Sequence, residues 1–243
     1  AAGLLQGSIL SPMFYSFFIN DLPEYLQKGP VLLMNNKSTP INCLLYADDI
    51  VLIADSHNNL NQLLGICELH AIDNDYQFNT RKCEILYDPK RDSSRLHLLK
   101  SMLHGTEIPM STRFKYLGIY FNTRGIDVET TITEATTKAK TTANLLTTIG
   151  VNGLGYSLES NIRIYKSLVR PLLEYSLCVL PLRKKHLDEL ERAQNFCLNK
   201  IMSMSQSTSY DGKRILLGIQ DMKARYYELQ ANWALRIKNL GSE

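Results

Sequence analysis

Apolar residues recur with different periods along the 243-residue chain, and the change near residue 121 separates a mixed α/β half from a helical half. In the first half, Ser11 followed by Pro12 reads as a helix N-cap and first helical position, and Phe14, Phe18 and Leu22 return every fourth residue on one face. Pro23 then breaks or restarts that helix. Residues 43–47 and 50–54 are short runs rich in Leu, Ile and Val on either side of Asp48-Asp49, the pattern of a β-hairpin with both carboxylates at its tip. After Ser56, the spacing of Leu60, Leu63, Leu64, Cys67 and Ala71 predicts a helix behind the hairpin, with Asn74 as a left-handed stop. Residues 82–87 and 114–121 read as strands, the second containing Gly118, where a missing side chain admits another backbone or a ligand.

The second half opens on a helical face made by Val128, Ile132, Ala135, Ala139, Ala143 and Leu146, although nine threonines in that stretch lower its intrinsic helix propensity. A loop at residues 152–155 follows, and then three amphipathic stretches: 158–173, interrupted by Pro171, then 187–201 and 226–240.

Composition narrows the class. With 44% hydrophobic residues in 27.7 kDa the chain has the material for a packed core, which excludes disorder as the main state. The net charge of +3 is too mild to announce a polyanion partner, but it is unevenly spread. Residues 1–121 carry 10 basic and 12 acidic side chains, or −2, and residues 122–243 carry 17 and 12, or +5. Five scattered cysteines with no Cys-x-x-Cys pair indicate neither a disulfide framework nor a zinc ribbon, and suit a reducing compartment. The longest apolar stretch, 43–54, is cut by Asp48 and Asp49 and is too short for a membrane span. The start at Ala1, with no signal-peptide pattern, carries the expectation that the natural N-terminus lies upstream.

Tyr46-Ala47-Asp48-Asp49 is the sharpest local feature, because adjacent like charges at the end of an apolar hairpin call for a cation. Carboxylate oxygens suit Mg²⁺, a hard ion that takes one or two protein carboxylates and completes its shell with water and substrate phosphates. Two such ions stabilise the attacking and leaving oxygens of an in-line phosphoryl displacement. A solvated turn is the competing explanation for an isolated Asp-Asp pair.

The flanking sequence supplies context. Gly3-Leu4-Leu5-Gln6-Gly7-Ser8-Ile9-Leu10-Ser11-Pro12-Met13-Phe14, followed by Ile19-Asn20-Asp21-Leu22, resembles motif B of reverse transcriptases of the non-LTR retrotransposon type. Tyr46-Ala47-Asp48-Asp49 resembles their motif C, and Phe78-Asn79-Thr80-Arg81-Lys82-Cys83-Glu84 resembles motif D, with Cys83 where Thr is usual. Phe114-Lys115-Tyr116-Leu117-Gly118-Ile119 resembles motif E, the primer grip, and residues 163–175 and 212–225 resemble the region after it more weakly. Four motifs in the family's order are far more specific than any one.

The resemblance implies an α+β fold, with a partial polymerase palm of antiparallel sheet and packed helices over residues 1–121 and a helical, thumb-like region over 122–243. It implies RNA-directed DNA synthesis with Mg²⁺, or Mn²⁺ in its place, on an RNA template, a DNA primer and deoxynucleoside triphosphates, without a membrane, in the nucleus or cytoplasm. Asp48 and Asp49 take the metal-binding catalytic positions, and Lys82 the position proposed to protonate or neutralise departing pyrophosphate. Gln6, Gly7, Tyr46 and Ala47 match positions against nucleotide and template, and Leu117 and Gly118 match the primer grip. Arg183, Lys184, Lys185, Lys213 and Arg214 are candidates for phosphate contact in the basic half. The family's further catalytic Asp, in motif A, lies on a strand preceding motif B, so the 243 residues alone are expected to be inactive. A degenerate remnant that retains nucleic-acid binding, and a maturase- or telomerase-like reverse transcriptase, are the alternative readings.

Overall fold

The computed structural model describes residues 8–33, 40–86, 100–205 and 207–240. It is a mixed α+β chain that separates into two compact units, Ala1–Phe114 and Lys115–Glu243.

In the first unit, α1 (Ser11–Ile19) and α2 (Leu22–Gln27) are separated by a two-residue elbow, and Pro23 sits in the first turn of α2, where its missing N–H is not needed. The N-cap of α1 is Leu10, not Ser11, whose own N–H donates to Ser8 O at 3.3 Å. The expected apolar face of this helix is not the buried one. Phe14 and Phe18 are half exposed, only Ile19 of α1 is buried, and Leu22 is buried from within α2.

The hairpin forms from β3 (Cys43–Tyr46) and β4 (Asp49–Leu52), after two short paired strands β1 (Leu32–Leu33) and β2 (Pro40–Ile41). Its register pairs Cys43 with Leu52, Leu45 with Ile50 and Tyr46 with Asp49. The alternation of the strands turns Cys43, Leu45, Ile50 and Leu52 toward Leu63 and Cys67 of α3 (His57–Asp73), while Leu44 faces out. Ser56 caps α3 by accepting from Asn59 N–H at 3.3 Å. The helix ends one residue later than expected: Asp75, not Asn74, takes the left-handed conformation at φ +52. Tyr76 N–H then reaches Ala71 O and Asp75 N–H reaches Ile72 O, which satisfies the last carbonyls.

Two polar side chains fasten these elements. Buried Asn42 donates to Leu26 O at 2.6 Å and Pro30 O at 3.2 Å, fixing the end of α2 to the hairpin. Fully buried His70 donates from Nε2 to Asp21 at 2.8 Å and accepts at Nδ1 from the Tyr76 hydroxyl at 2.8 Å. The α1–α2 elbow is thereby tied to the end of α3.

The expected strand over 82–87 is shorter and later. Thr80–Lys82 is a 3₁₀ turn, β5 is only Ile85–Leu86, and Tyr87 lies outside the described residues. β5 pairs in parallel with β8 (Met110–Ser111), and β6 (Met102–Leu103) pairs with β7 (Thr106–Glu107), so the described strands form five small sheets rather than one antiparallel sheet.

Residues 114–121 are not one strand either. β9 (Arg113–Tyr116) turns at Leu117-Gly118 into β10 (Ile119–Asn122), which pairs with β11 (Gly125–Ile126). Helix α4 (Val128–Thr148) follows, capped by Asp127, whose carboxylate accepts from Thr130 N–H and hydroxyl. Its buried face uses Thr131 and Thr136 beside Ile132, Ala139, Ala143 and Leu146; Ala135 is only partly buried. The threonines survive in the helix because their hydroxyls find acceptors, as Thr131 does at Asp127 O at 2.8 Å.

Pro171 does not interrupt the next helix. α5 (Leu158–Ile164) runs through a π turn, Tyr165–Val169, into α6 (Arg170–Glu174), and Arg170 N–H bonds to Tyr165 O five residues back. The wider turn carries the chain past the residue that has no N–H to give. α7 (Lys184–Met202) packs on α4, and α9 (Met222–Leu240) packs on α7. α8 (Tyr210–Leu217), which the sequence pattern did not suggest, is capped by Ser209. Tyr165, buried at the centre, donates to Gln194 Oε1 at 2.9 Å, and burial pushes its phenol well above the ordinary range.

Glu134 on α4 accepts from Lys115 at 2.6 Å and Lys138 at 2.5 Å. Burial works against its charge, but these lysines and Tyr120 outweigh it and hold the carboxyl at about 2. The folded value lies below the unfolded one, so its stabilising contribution is complete above about pH 4.5 and is lost as pH falls toward 2. Acid titration of Glu134→Gln should therefore converge with wild type below this window and diverge above it. Parallel curves throughout would contradict the assignment.

Candidate active site

Asp48 and Asp49 lie at the exposed end of the β3–β4 hairpin, but not together at the tip. The two-residue turn is Ala47-Asp48, and Asp49 is the first residue of β4, opposite Tyr46. Ala47 adopts φ +50, a conformation that costs an alanine roughly 1–2 kcal/mol and that recurs at functional sites. Tyr46, Ala47, Asp48 and Asp49 are all exposed, and among the described residues neither carboxylate is engaged in a hydrogen bond or ion pair.

A tyrosine unsuspected from sequence stands near this end. Tyr15 of α1 packs into the first-unit core, and its phenol is raised by burial and then by the charge of Asp48. Its place in the sequence, next to Phe14 of the expected face, gave the only hint. Gln6 and Gly7 lie outside the described residues.

The donor chemistry of Asp48 and Asp49 fits Mg²⁺: two hard anionic oxygen donors on a two-stranded support, open to solvent. They do not complete a ligand set. Among the described residues no cluster of three or more His, Cys, Asp or Glu side chains is placed to hold a metal. Water and substrate phosphates would supply the rest.

Lys82 is exposed on the 3₁₀ turn, not on a strand, and its N–H donates to Asn79 O at 3.0 Å. Cys83 donates from Sγ to the same carbonyl at 3.4 Å, a bond that a threonine hydroxyl is equally able to make. The substitution at that motif position thus keeps a donor in place, while burial pushes the thiol up.

Leu117 and Gly118 form the β9–β10 turn with φ +47 and +80, both left-handed, as a tight hairpin turn requires. The glycine has a second reason to be there: a Cβ on it would stand 2.8 Å from Cε1 of Tyr175. Gly118→Ala is expected to destabilise the second unit by about 1–2 kcal/mol, from backbone strain and that clash, read as a lower denaturation midpoint. An unchanged midpoint would contradict it.

The basic candidates divide. Arg183 and Lys184 are exposed at the start of α7. Lys185 pairs with Glu129, which also accepts from His186 Nε2 at 3.2 Å; these partners, Lys185 foremost, hold the Glu129 carboxyl below the usual range. Lys213 and Arg214 do not meet the expectation of surface charge. Lys213 is 1% exposed, donates to Asn195 Oδ1 at 3.3 Å, and burial lowers its pKa. Arg214 is held by Glu191 and Asp211. The phase of α8 explains this, since Lys213 shares its inward face with Leu217 one turn on.

Residues 1–121 match the family model described as reverse transcriptase (RNA-dependent DNA polymerase). The RNA-directed DNA polymerase from mobile element jockey of Drosophila melanogaster is 29% identical over 83% of the chain and 22% of its own length. The corresponding Drosophila funebris protein is 27% identical over 82% of the chain and 22% of its own length. The retrovirus-related Pol polyprotein from type-1 retrotransposable element R2 of Nasonia vitripennis is 26% identical over 51% of the chain and 13% of its own length. No solved structure matches. The chain thus spans about a fifth of the length of the jockey relatives. With motifs B to E all inside the matched half, the chain belongs to the reverse transcriptase (RNA-dependent DNA polymerase) family, and its relatives are polymerases of non-LTR retrotransposons.

Proposed function

We propose that this chain supplies the catalytic hairpin, primer grip and thumb-like helices of a retrotransposon polymerase that copies an RNA template into DNA from a DNA primer and deoxynucleoside triphosphates. The observation that carries the reading is the Asp48-Asp49 pair, exposed and in no hydrogen bond or ion pair among the described residues, in a stretch matched to the family. Asp48 and Asp49 would hold Mg²⁺, or Mn²⁺, whose chemistry when bound is to neutralise charge on the attacking and leaving oxygens of an in-line displacement. Tyr46 and Ala47 flank the reacting end, Gln6 and Gly7 lie against nucleotide and template, and Lys82 offers a proton or a positive charge to the departing pyrophosphate.

Arg183 and Lys184 contact phosphates of the primer–template duplex in this reading, with Lys185 shared between the nucleic acid and Glu129. The excess of 17 basic over 12 acidic residues in 122–243 supports such a surface. Affinity of the chain for an RNA–DNA duplex, measured by filter binding from 50 to 200 mM monovalent salt, tests it. A fall of at least tenfold is expected, and Lys184→Ala should reduce the log–log slope by about one. Salt-insensitive binding, or none, would refute a phosphate-binding surface.

A further inference from the structure

One side chain, far away in sequence, holds the Leu117-Gly118 turn. The Tyr175 hydroxyl donates to Leu117 O at 3.2 Å, and its ring occupies the space left by the missing Cβ of Gly118. Leucine tolerates the left-handed region poorly, so a turn with Leu117 at φ +47 needs its surroundings to fix it.

Tyr175 is itself firmly mounted. Its N–H bonds to Pro171 O at 3.0 Å at the end of α6, and its neighbour Glu174 is gripped by Arg225 through bonds of 2.8 and 3.1 Å. Yet Tyr175 remains 67% exposed, so core burial does not account for its position. The pieces are a strained turn, a phenol that pins its carbonyl, and an aromatic face left open beside it. Such a face is suited to stack on a nucleobase of any identity.

We propose that Tyr175 is a positioning residue of the polymerase: its hydroxyl locks the Leu117-Gly118 turn in the left-handed form, and its open ring seats the terminal nucleoside of the primer. This rests on reading residues 114–119 as the primer grip. Aromatic stacking explains how the seat accepts all four bases, and the hydroxyl explains why a non-glycine residue is tolerated in the turn.

The test compares binding of the 243-residue chain to an RNA–DNA duplex with a recessed DNA 3′ end and to a blunt duplex of the same length. Wild type should favour the recessed end. Tyr175→Phe, which keeps the ring and removes the hydroxyl, should lower recessed-end affinity about 3- to 10-fold and leave blunt-duplex affinity unchanged. Leu117→Gly, which relieves the turn, should restore most of that loss in the Tyr175→Phe background. The Gly118 amide resonance should also shift in Tyr175→Phe, independently of any nucleic acid. A wild-type preference that survives Tyr175→Phe, an equal loss on both duplexes, or failure of Leu117→Gly to rescue overturns the proposal while the primer-grip reading stands. No preference in wild type overturns that reading and the proposal with it.

Discussion

Asp48→Asn, placed in a full-length polymerase carrying this segment, is expected to lower Mg²⁺-dependent primer extension about 10³-fold, the equivalent of roughly 4 kcal/mol of transition-state stabilisation. The substitution keeps the shape of the side chain and removes its charge, so the hairpin should be unaffected: Asp48 is exposed and makes no hydrogen bond or ion pair among the described residues. Thermal unfolding of the 243-residue chain should accordingly move by no more than about 0.5 kcal/mol. Retention of a tenth or more of the activity by Asp48→Asn would remove the hairpin from the mechanism.

Glu174→Ala is expected to destabilise the second unit by about 3 kcal/mol, the largest effect of any single ion-pair removal here. The Glu174 side chain is only 11% exposed and is the bidentate partner of Arg225, whose guanidinium it holds well above the ordinary range. Arg170 Nε lies 3.6 Å from the same carboxylate, too far for a good hydrogen bond, and makes no hydrogen bond to another of the described residues. Removing Glu174 therefore leaves one guanidinium nitrogen with no compensation and another dependent on Glu228, which is much more exposed. Glu228→Ala serves as the comparison, with a much smaller expected cost because that carboxylate is open to solvent. Urea denaturation of both variants distinguishes the cases; equal midpoints would mean that burial of the Glu174 carboxylate cancels its attraction for the two arginines.

The sequence pattern disclosed elements better than registers. The hairpin was legible from its two apolar runs, and the structure turns Cys43, Leu45, Ile50 and Leu52 to its inward side. A slide of two residues between the strands leaves those same residues inward, so periodicity could not decide between a tip at Asp48-Asp49 and the observed Ala47-Asp48. The aromatic run of 114–121 concealed a turn for a related reason: leucine is no turn former, and the tyrosine that compensates for it is 58 positions away. Helix α3 was legible to its cap because Ser56 and the apolar spacing act locally. α8 was hidden by its eight-residue length and the Ser- and Thr-rich stretch before it. Lys213-Arg214 looked like surface charge because adjacent residues in a sequence say nothing of which one a helix turns inward. The aspartates of the candidate site could be named in advance, whereas Tyr15 and Tyr175 depended on tertiary approach.

The π turn at Tyr165–Val169 also takes up length. Closing a ring five residues wide, where an α-helix closes one of four, accommodates about one extra residue, and each residue in an α-helix advances the side-chain direction by about 100°. Deleting Ser167 would let the ring close on four residues, as in a regular α-helix, and would leave the residues after it near their present directions, so that Glu174 still meets Arg225 and Tyr175 still meets Leu117. The bulge thus stores one residue of length, and both contacts would feel a deletion inside it less than a deletion in the regular helix on either side.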